Sequence, residues 1–160
     1  MPHRNEPERL LPLILAARGL RGFCDGFVAV LLPAYLLALG HDEVAVGLLS
    51  TVAVFGSALA TLAAGQWGGR YPMRRLLLAA AAVMVLTGLG FATLSALWPL
   101  MLVAFVGPIN PSGGVVSVFL PLEHTVIADA LAGDARTAAF GRYGFVGSVA
   151  GAAGALAVAI

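Results

Sequence analysis

Five long apolar stretches, separated by short polar connections, dominate the chain. A helix needs about 20 apolar residues to cross the hydrocarbon core of a bilayer. The pattern therefore predicts spanning helices near residues 19–39, 44–65, 76–94, 100–131 and 140–160. Residues 1–18 are predicted to form a cytoplasmic segment whose apolar part lies at the membrane interface. The predicted fold class is all-α, a polytopic membrane helix bundle.

The fourth apolar stretch is longer than one straight span requires, and residues 107–114 within it hold two prolines and three glycines. Proline removes a backbone donor and kinks a helix, so we expect a break there. The break is either unwound backbone that coordinates a solute or a kink that only packs. The fifth stretch is still apolar at Ile160, from which we expect the chain to be a fragment of a longer protein.

Composition excludes an ordinary soluble domain. Apolar residues make up 60% of the chain and charged residues 11%, whereas a soluble domain carries about 25% charged residues. The single cysteine, Cys24, excludes an internal disulfide. No common catalytic motif is present, and the three histidines fall in different regions, so we expect neither an enzyme nor a metal or other cofactor.

All nine cationic residues are arginines, and they occur in alternate connections. Positive residues of short loops stay cytoplasmic, so this asymmetry predicts a cytoplasmic N-terminus in a multi-pass protein. We expect the membrane to be the bacterial inner or plasma membrane. Nucleic-acid binding is not expected, because the arginines do not form one basic face. They lie at Arg4, Arg9, Arg18, Arg21, Arg70, Arg74, Arg75, Arg136 and Arg142.

Three titratable residues in apolar surroundings are candidates for substrate binding or proton coupling: Asp25, Glu123 and His124. Intramembrane carboxylates usually face a bundle interior or water. Asp25 either lines a cavity or pairs with Arg21, four residues earlier on the same helix face. Glu123 and His124 either titrate during a cycle or lie at the inner interface, satisfied by Arg136 or water.

The fifth predicted span contains Gly147, Gly151 and Gly154. Small residues four apart let two membrane helices approach closely, so we expect these glycines to serve helix packing.

The connection between the second and third spans carries a recognisable motif. The stretch Gly65-Gln-Trp-Gly-Gly-Arg70-Tyr-Pro-Met-Arg74-Arg75-Leu-Leu77 resembles the signature loop of the major facilitator superfamily. Gly65, Arg70 and Arg74 match in register, and Arg75 follows in the same inner loop. Gly69 stands where the family usually has Asp, so the charge network that the resemblance implies at this loop lacks its usual carboxylate.

The resemblance implies a protein of twelve spanning helices in two six-helix halves, of which this chain would supply the first five. It implies a secondary active transporter of small solutes that works by alternating access and is coupled to an ion or proton gradient. The expected partners are a small-molecule solute, the lipid bilayer and the missing C-terminal half. Gly147, Gly151 and Gly154 are similar to the family's antiporter motif, which favours efflux, although Ala152 replaces its proline. An integral-membrane enzyme or a structural membrane subunit is the alternative.

Overall fold

The computed structural model describes residues 6–67, 70–107 and 119–158, with only the backbone described for residues 6–9 and 67. This part of the chain forms helices and contains no strand, which confirms the predicted all-α class. The helices are α1 (Glu6–Ala38), α2 (Glu43–Trp67), α3 (Met73–Thr93), α4 (Leu97–Val106), α5 (Phe119–Ala130) and α6 (Gly133–Val158).

Within the described ranges, three helices are long and apolar enough to cross a membrane: α1 from Leu10 to Ala38, α2 from Glu43 to Gln66, and α3. α6 has sufficient length, 26 residues, but its glycines and polar residues make it less apolar. The fourth apolar stretch is divided between α4, of 10 residues, and α5, of 12. Gly107 follows α4 and is buried, whereas the rest of the expected break, 108–114, lies outside the described residues.

Two helix boundaries differ from the sequence expectation. α1 runs unbroken from Glu6, so the apolar lead-in belongs to the same helix as the first span. α6 begins at Gly133, which has a φ of +57°, so the connection after α5 is shorter than predicted. Asp134 in the first turn of α6 favours this early start, because a carboxylate is stabilised at a helix N-terminus.

α1 and α6 form the closest helix pair, and glycines on both helices permit the approach. A Cβ on Gly26 would overlap the backbone of Gly151, and a Cβ on Gly154 would overlap the carbonyl of Phe23. We call this contact, formed by Gly22, Gly26, Gly147, Gly151 and Gly154, the glycine seam. α2 packs against α4 in the same manner, because a Cβ on Gly56 would overlap the backbone of Phe105.

Two apolar clusters hold opposite ends of the bundle. The first joins the C-terminal half of α1 to α2 and α4, and its most buried members are Leu36, Leu49 and Leu100. The second joins the N-terminal half of α1 to α5 and to the start of α6 through Ile127, Ala139 and Tyr143. The candidate site lies beside the second cluster.

Beyond the first cluster, two turns are tied together. The turn between α1 and α2 bends at Gly40, with a φ of +86°, and Asp42 accepts a hydrogen bond from the Ala45 amide at 2.8 Å. Its His41 Nε2 donates to the carbonyl of Ser95, between α3 and α4, at 3.0 Å. The turns at this end are therefore fixed relative to each other.

Candidate functional site

A buried carboxylate joins three helices. Glu123 of α5 is 4% exposed, and its Oε2 accepts hydrogen bonds from Arg21 Nη2 of α1 and from Tyr143 Oη of α6, the latter at 2.7 Å. The contact with Arg21 is also an ion pair. We call Arg21, Glu123 and Tyr143 the Glu123 site.

The sequence of α5 places Glu123 inside the bundle. Phe119, Leu122, Glu123 and Ile127 are its buried residues, and their spacing of three, one and four positions marks one helix face. Glu123 is the charged member of an otherwise apolar face. A carboxylate in such surroundings is tolerated when it is paired and hydrogen-bonded, which Arg21 and Tyr143 accomplish.

Aromatic rings surround the charged groups. The guanidinium of Arg21 lies 4.2 Å from the centre of the Phe119 ring, and that of Arg18 lies 5.2 Å from the centre of the Tyr143 ring. Cations over ring faces at these distances are attracted by the ring quadrupole. The rings therefore fix where both arginine head groups lie.

A cleft of about 320 Å³ opens between α1 and α6 next to the Glu123 site. Arg18 and Asp25 contribute its charged lining and Ser148 a hydroxyl, while Gly22 and Gly147 belong to the seam beneath. We call it the Arg18–Asp25 cleft. The structure thus places Asp25 at a cavity.

Neither charged residue of this cleft forms a salt bridge or a side-chain hydrogen bond within the described part of the chain. Asp25 has no salt bridge or hydrogen bond there, so the alternative ion pair with Arg21 is not formed and Arg21 binds Glu123 instead. The buried Nε of Arg18 finds no hydrogen-bond acceptor among the described residues.

His124 contacts aromatic rings, and Arg136 has a different partner from the one expected. His124 is half-buried and makes edge contacts with the rings of Phe140 and Tyr143, with centroids 4.8 and 5.1 Å apart. The interpretation that Arg136 satisfies Glu123 is wrong. Arg136 donates to the carbonyls of Leu131 and Ala128, both at 2.8 Å, and so caps the end of α5.

The signature-loop residues lie far along the chain from these groups. Gly65 is in the last turns of α2, and Arg70, Arg74 and Arg75 are exposed. Their side chains form no ion pair with any described residue. Gly69, at the family's Asp position, lies outside the described residues.

Sequence reasoning missed two members of the site region, Arg18 and Tyr143, and assigned Arg21 a different partner. A signal was present for each. Arg18 and Arg21 lie within the apolar run of α1, and Tyr143 precedes Gly147 by four positions on the packed face of α6. Among the described residues, no three His, Cys, Asp or Glu side chains are grouped as they would be around a metal ion.

Comparison with known proteins agrees with the sequence motif and the helical architecture. Over 148 residues the chain is 27% identical to an uncharacterized membrane protein of Saccharomyces cerevisiae. The match covers 92% of this chain and 33% of the yeast protein, so the chain spans about a third of the length of this relative. No solved structure matches the chain. Residues 14–160 match the family profile of the Major Facilitator Superfamily, and the chain therefore belongs to this family of membrane transporters.

Proposed function

We propose that the full-length protein is a secondary active transporter of small solutes that works by alternating access and is driven by a proton gradient. The observation that carries the proposal is the Glu123 site, in which one buried carboxylate oxygen receives donors from α1 and α6. A change in the protonation state of Glu123 therefore changes the contacts that join α1, α5 and α6.

The two states of Glu123 make different contacts. The ionised carboxylate attracts the guanidinium of Arg21 and accepts the Tyr143 hydroxyl. A proton on Glu123 removes the charge that holds Arg21, which leaves a buried cation without its partner. The guanidinium of Arg21 is then attracted to Asp25, four residues along α1. Its movement changes the contacts between α1, α5 and α6.

Family membership favours transport over the alternatives of an integral-membrane enzyme or a structural membrane subunit. The resemblance of Gly147, Gly151 and Gly154 to the antiporter motif supports efflux. We place the protein in the bacterial inner or plasma membrane with a cytoplasmic N-terminus, and the arginine distribution supports this orientation.

Flux measurements with the full-length protein in proteoliposomes test proton coupling. Radiolabelled amino acids, organic acids and organic amines are supplied as a panel, with and without an imposed pH gradient. We expect Glu123→Gln to abolish gradient-driven accumulation of the transported solute and to preserve its gradient-independent exchange, because the amide cannot cycle a proton.

Glu43→Gln, in the exposed first turn of α2, is the matched control and should behave like the unmodified protein. Gradient-driven flux that survives in both Asp25→Asn and Glu123→Gln would show that neither carboxylate couples the proton.

A further inference from the structure

We propose that the Arg18–Asp25 cleft binds an extended zwitterionic solute, with the anionic group on Arg18 and the cationic group on Asp25. The inference rests on the proposed transport function and names the class of solute carried.

Arg18 is prepared to receive an oxyanion. A guanidinium has five donors and no acceptor, and the buried Nε of Arg18 donates to no residue in the described ranges. The Tyr143 ring lies beneath its guanidinium, and a Cβ on Gly147 would overlap the same group. The head group is therefore held in place with donors unused, as carboxylate recognition requires.

The neighbouring arginine shows why Arg18 is the candidate. Arg21 lies one turn further along α1, but its charge is matched by Glu123. Asp25 then remains as the unpaired anion in the cleft, and it is the group that can receive an ammonium. Among the described residues of this region, the Arg21–Glu123 ion pair leaves Arg18 and Asp25 without a salt bridge.

The positions of the two residues bear on the shape of the solute. Arg18 and Asp25 are seven positions apart on one helix face, so about 10 Å of helix axis separates their Cα atoms. A short chain with a charge at each end can place one charge on each residue. The cleft volume of about 320 Å³ is at the small end of ligand cavities, which fits a short solute.

Charge balance favours a zwitterion over a simple ion. A charge without a partner is costly at membrane depth. A zwitterion adds no net charge to the cleft and pairs both residues, whereas an anion or a cation alone pairs one residue and leaves the other unmatched.

Binding to the detergent-solubilised full-length protein tests the inference, with ε-aminocaproate as the probe and isothermal calorimetry as the readout. Caproate and hexylamine have the same chain with one charge each. We expect each to bind roughly 10- to 100-fold more weakly than ε-aminocaproate, the range expected for losing one charge-assisted contact. Caproate binding as tightly as ε-aminocaproate, or no saturable binding of ε-aminocaproate, would overturn the proposal.

Variants of Arg18 and Asp25 test which residue binds the carboxylate of the solute and which binds its ammonium group. Arg18→Gln should abolish the preference for ε-aminocaproate over hexylamine, and Asp25→Asn its preference over caproate. Arg142→Gln and Asp129→Asn, exposed residues of α6 and α5, are the matched controls and should retain both preferences. Arg18→Lys keeps the positive charge in case Arg18→Gln does not fold, and it should retain a preference over hexylamine. Unchanged preferences in Arg18→Gln and Asp25→Asn would also overturn the proposal.

The binding experiment contains no gradient, so its outcome is separate from that of proton coupling. Zwitterion binding that depends on Arg18 and Asp25, together with gradient-driven flux that survives Glu123→Gln, would overturn the proposed coupling alone. Coupled flux of other solutes without zwitterion binding would overturn the solute class alone.

Discussion

One oxygen atom of Glu123 accepts hydrogen bonds from two other helices of the bundle. Arg21 and Tyr143 both reach Oε2, although they belong to helices at opposite ends of the chain. The site is enclosed, since the side chains of Arg21 and Glu123 are 14% and 6% exposed. Loss of a donor therefore leaves a buried charge that water cannot easily compensate.

Removing the donors one at a time should reveal unequal contributions. We expect Tyr143→Phe to lower the free energy of unfolding by about 1–2 kcal/mol, because Arg21 still holds the carboxylate. Arg21→Gln should cost roughly 3–5 kcal/mol, because the carboxylate loses its counter-charge. Chemical denaturation of the full-length protein in detergent measures both.

Arg74→Gln, an exposed arginine at the start of α3, is the control and should leave unfolding unchanged. A cost for Arg21→Gln no larger than that of Tyr143→Phe would contradict the picture of a paired buried charge.

At the residue scale, sequence identified Asp25, Glu123 and His124 as candidates but gave the wrong partners for Arg21 and Arg136. The i,i+4 rule connects Arg21 with Asp25 because both lie on one helix. The partner found is 102 positions away. Such a pairing depends on how α1, α5 and α6 pack together, which no local spacing encodes.

At the scale of helices, the glycine seam determines how closely α1 and α6 approach. Side chains are absent at Gly26 and Gly154, so backbone of one helix touches backbone of the other. This contact forms the floor of the Arg18–Asp25 cleft and places Tyr143 within reach of Glu123.

Two alanine substitutions should therefore have opposite effects. Gly26→Ala would force a Cβ into the backbone of Gly151, and we expect it to cost about 1–3 kcal/mol through overpacking. Gly144→Ala, on the same helix pair but with nothing within 4 Å of the new Cβ, should stabilise by up to about 1 kcal/mol through helix propensity. Thermal unfolding of the full-length protein gives the comparison.

Equal shifts of the unfolding temperature for the two substitutions would show that the seam is not closely packed.

The presence of the helices was predictable from the apolar runs, because burial in lipid and burial inside the bundle both favour apolar residues. Helix ends were less predictable. The prediction began the first span at residue 19, yet α1 continues back to Glu6 with Pro12 inside the helix. The start of α6 at Gly133 depends on capping and dipole effects worth a fraction of the energy of the span itself.

For the molecule as a whole, the arginine distribution makes a prediction about orientation. In the full-length protein lacking its native cysteines, we expect Ser95→Cys to react with a membrane-impermeant maleimide in intact cells. Arg74→Cys should react only after permeabilisation, because positive loops stay cytoplasmic. Both positions are exposed, so a difference in labelling reports the side of the membrane.

The unsubstituted cysteine-free protein gives the background of labelling. Reaction of Arg74→Cys in intact cells, with protection of Ser95→Cys, would place the N-terminus outside.

The long separation between Arg21 and its partner has a consequence for synthesis. α1 leaves the ribosome before α5 and α6, and 102 further positions separate Arg21 from Glu123 in the order of synthesis. During that interval Arg18, Arg21 and Asp25 lie in a newly inserted helix without α5 or α6 to cover them. An exposed intramembrane charge is costly, so the nascent chain is most in need of an insertion chaperone between the appearance of α1 and that of α6. Slow codons placed in that window should lower the yield of membrane-integrated protein more than the same codons placed after α6.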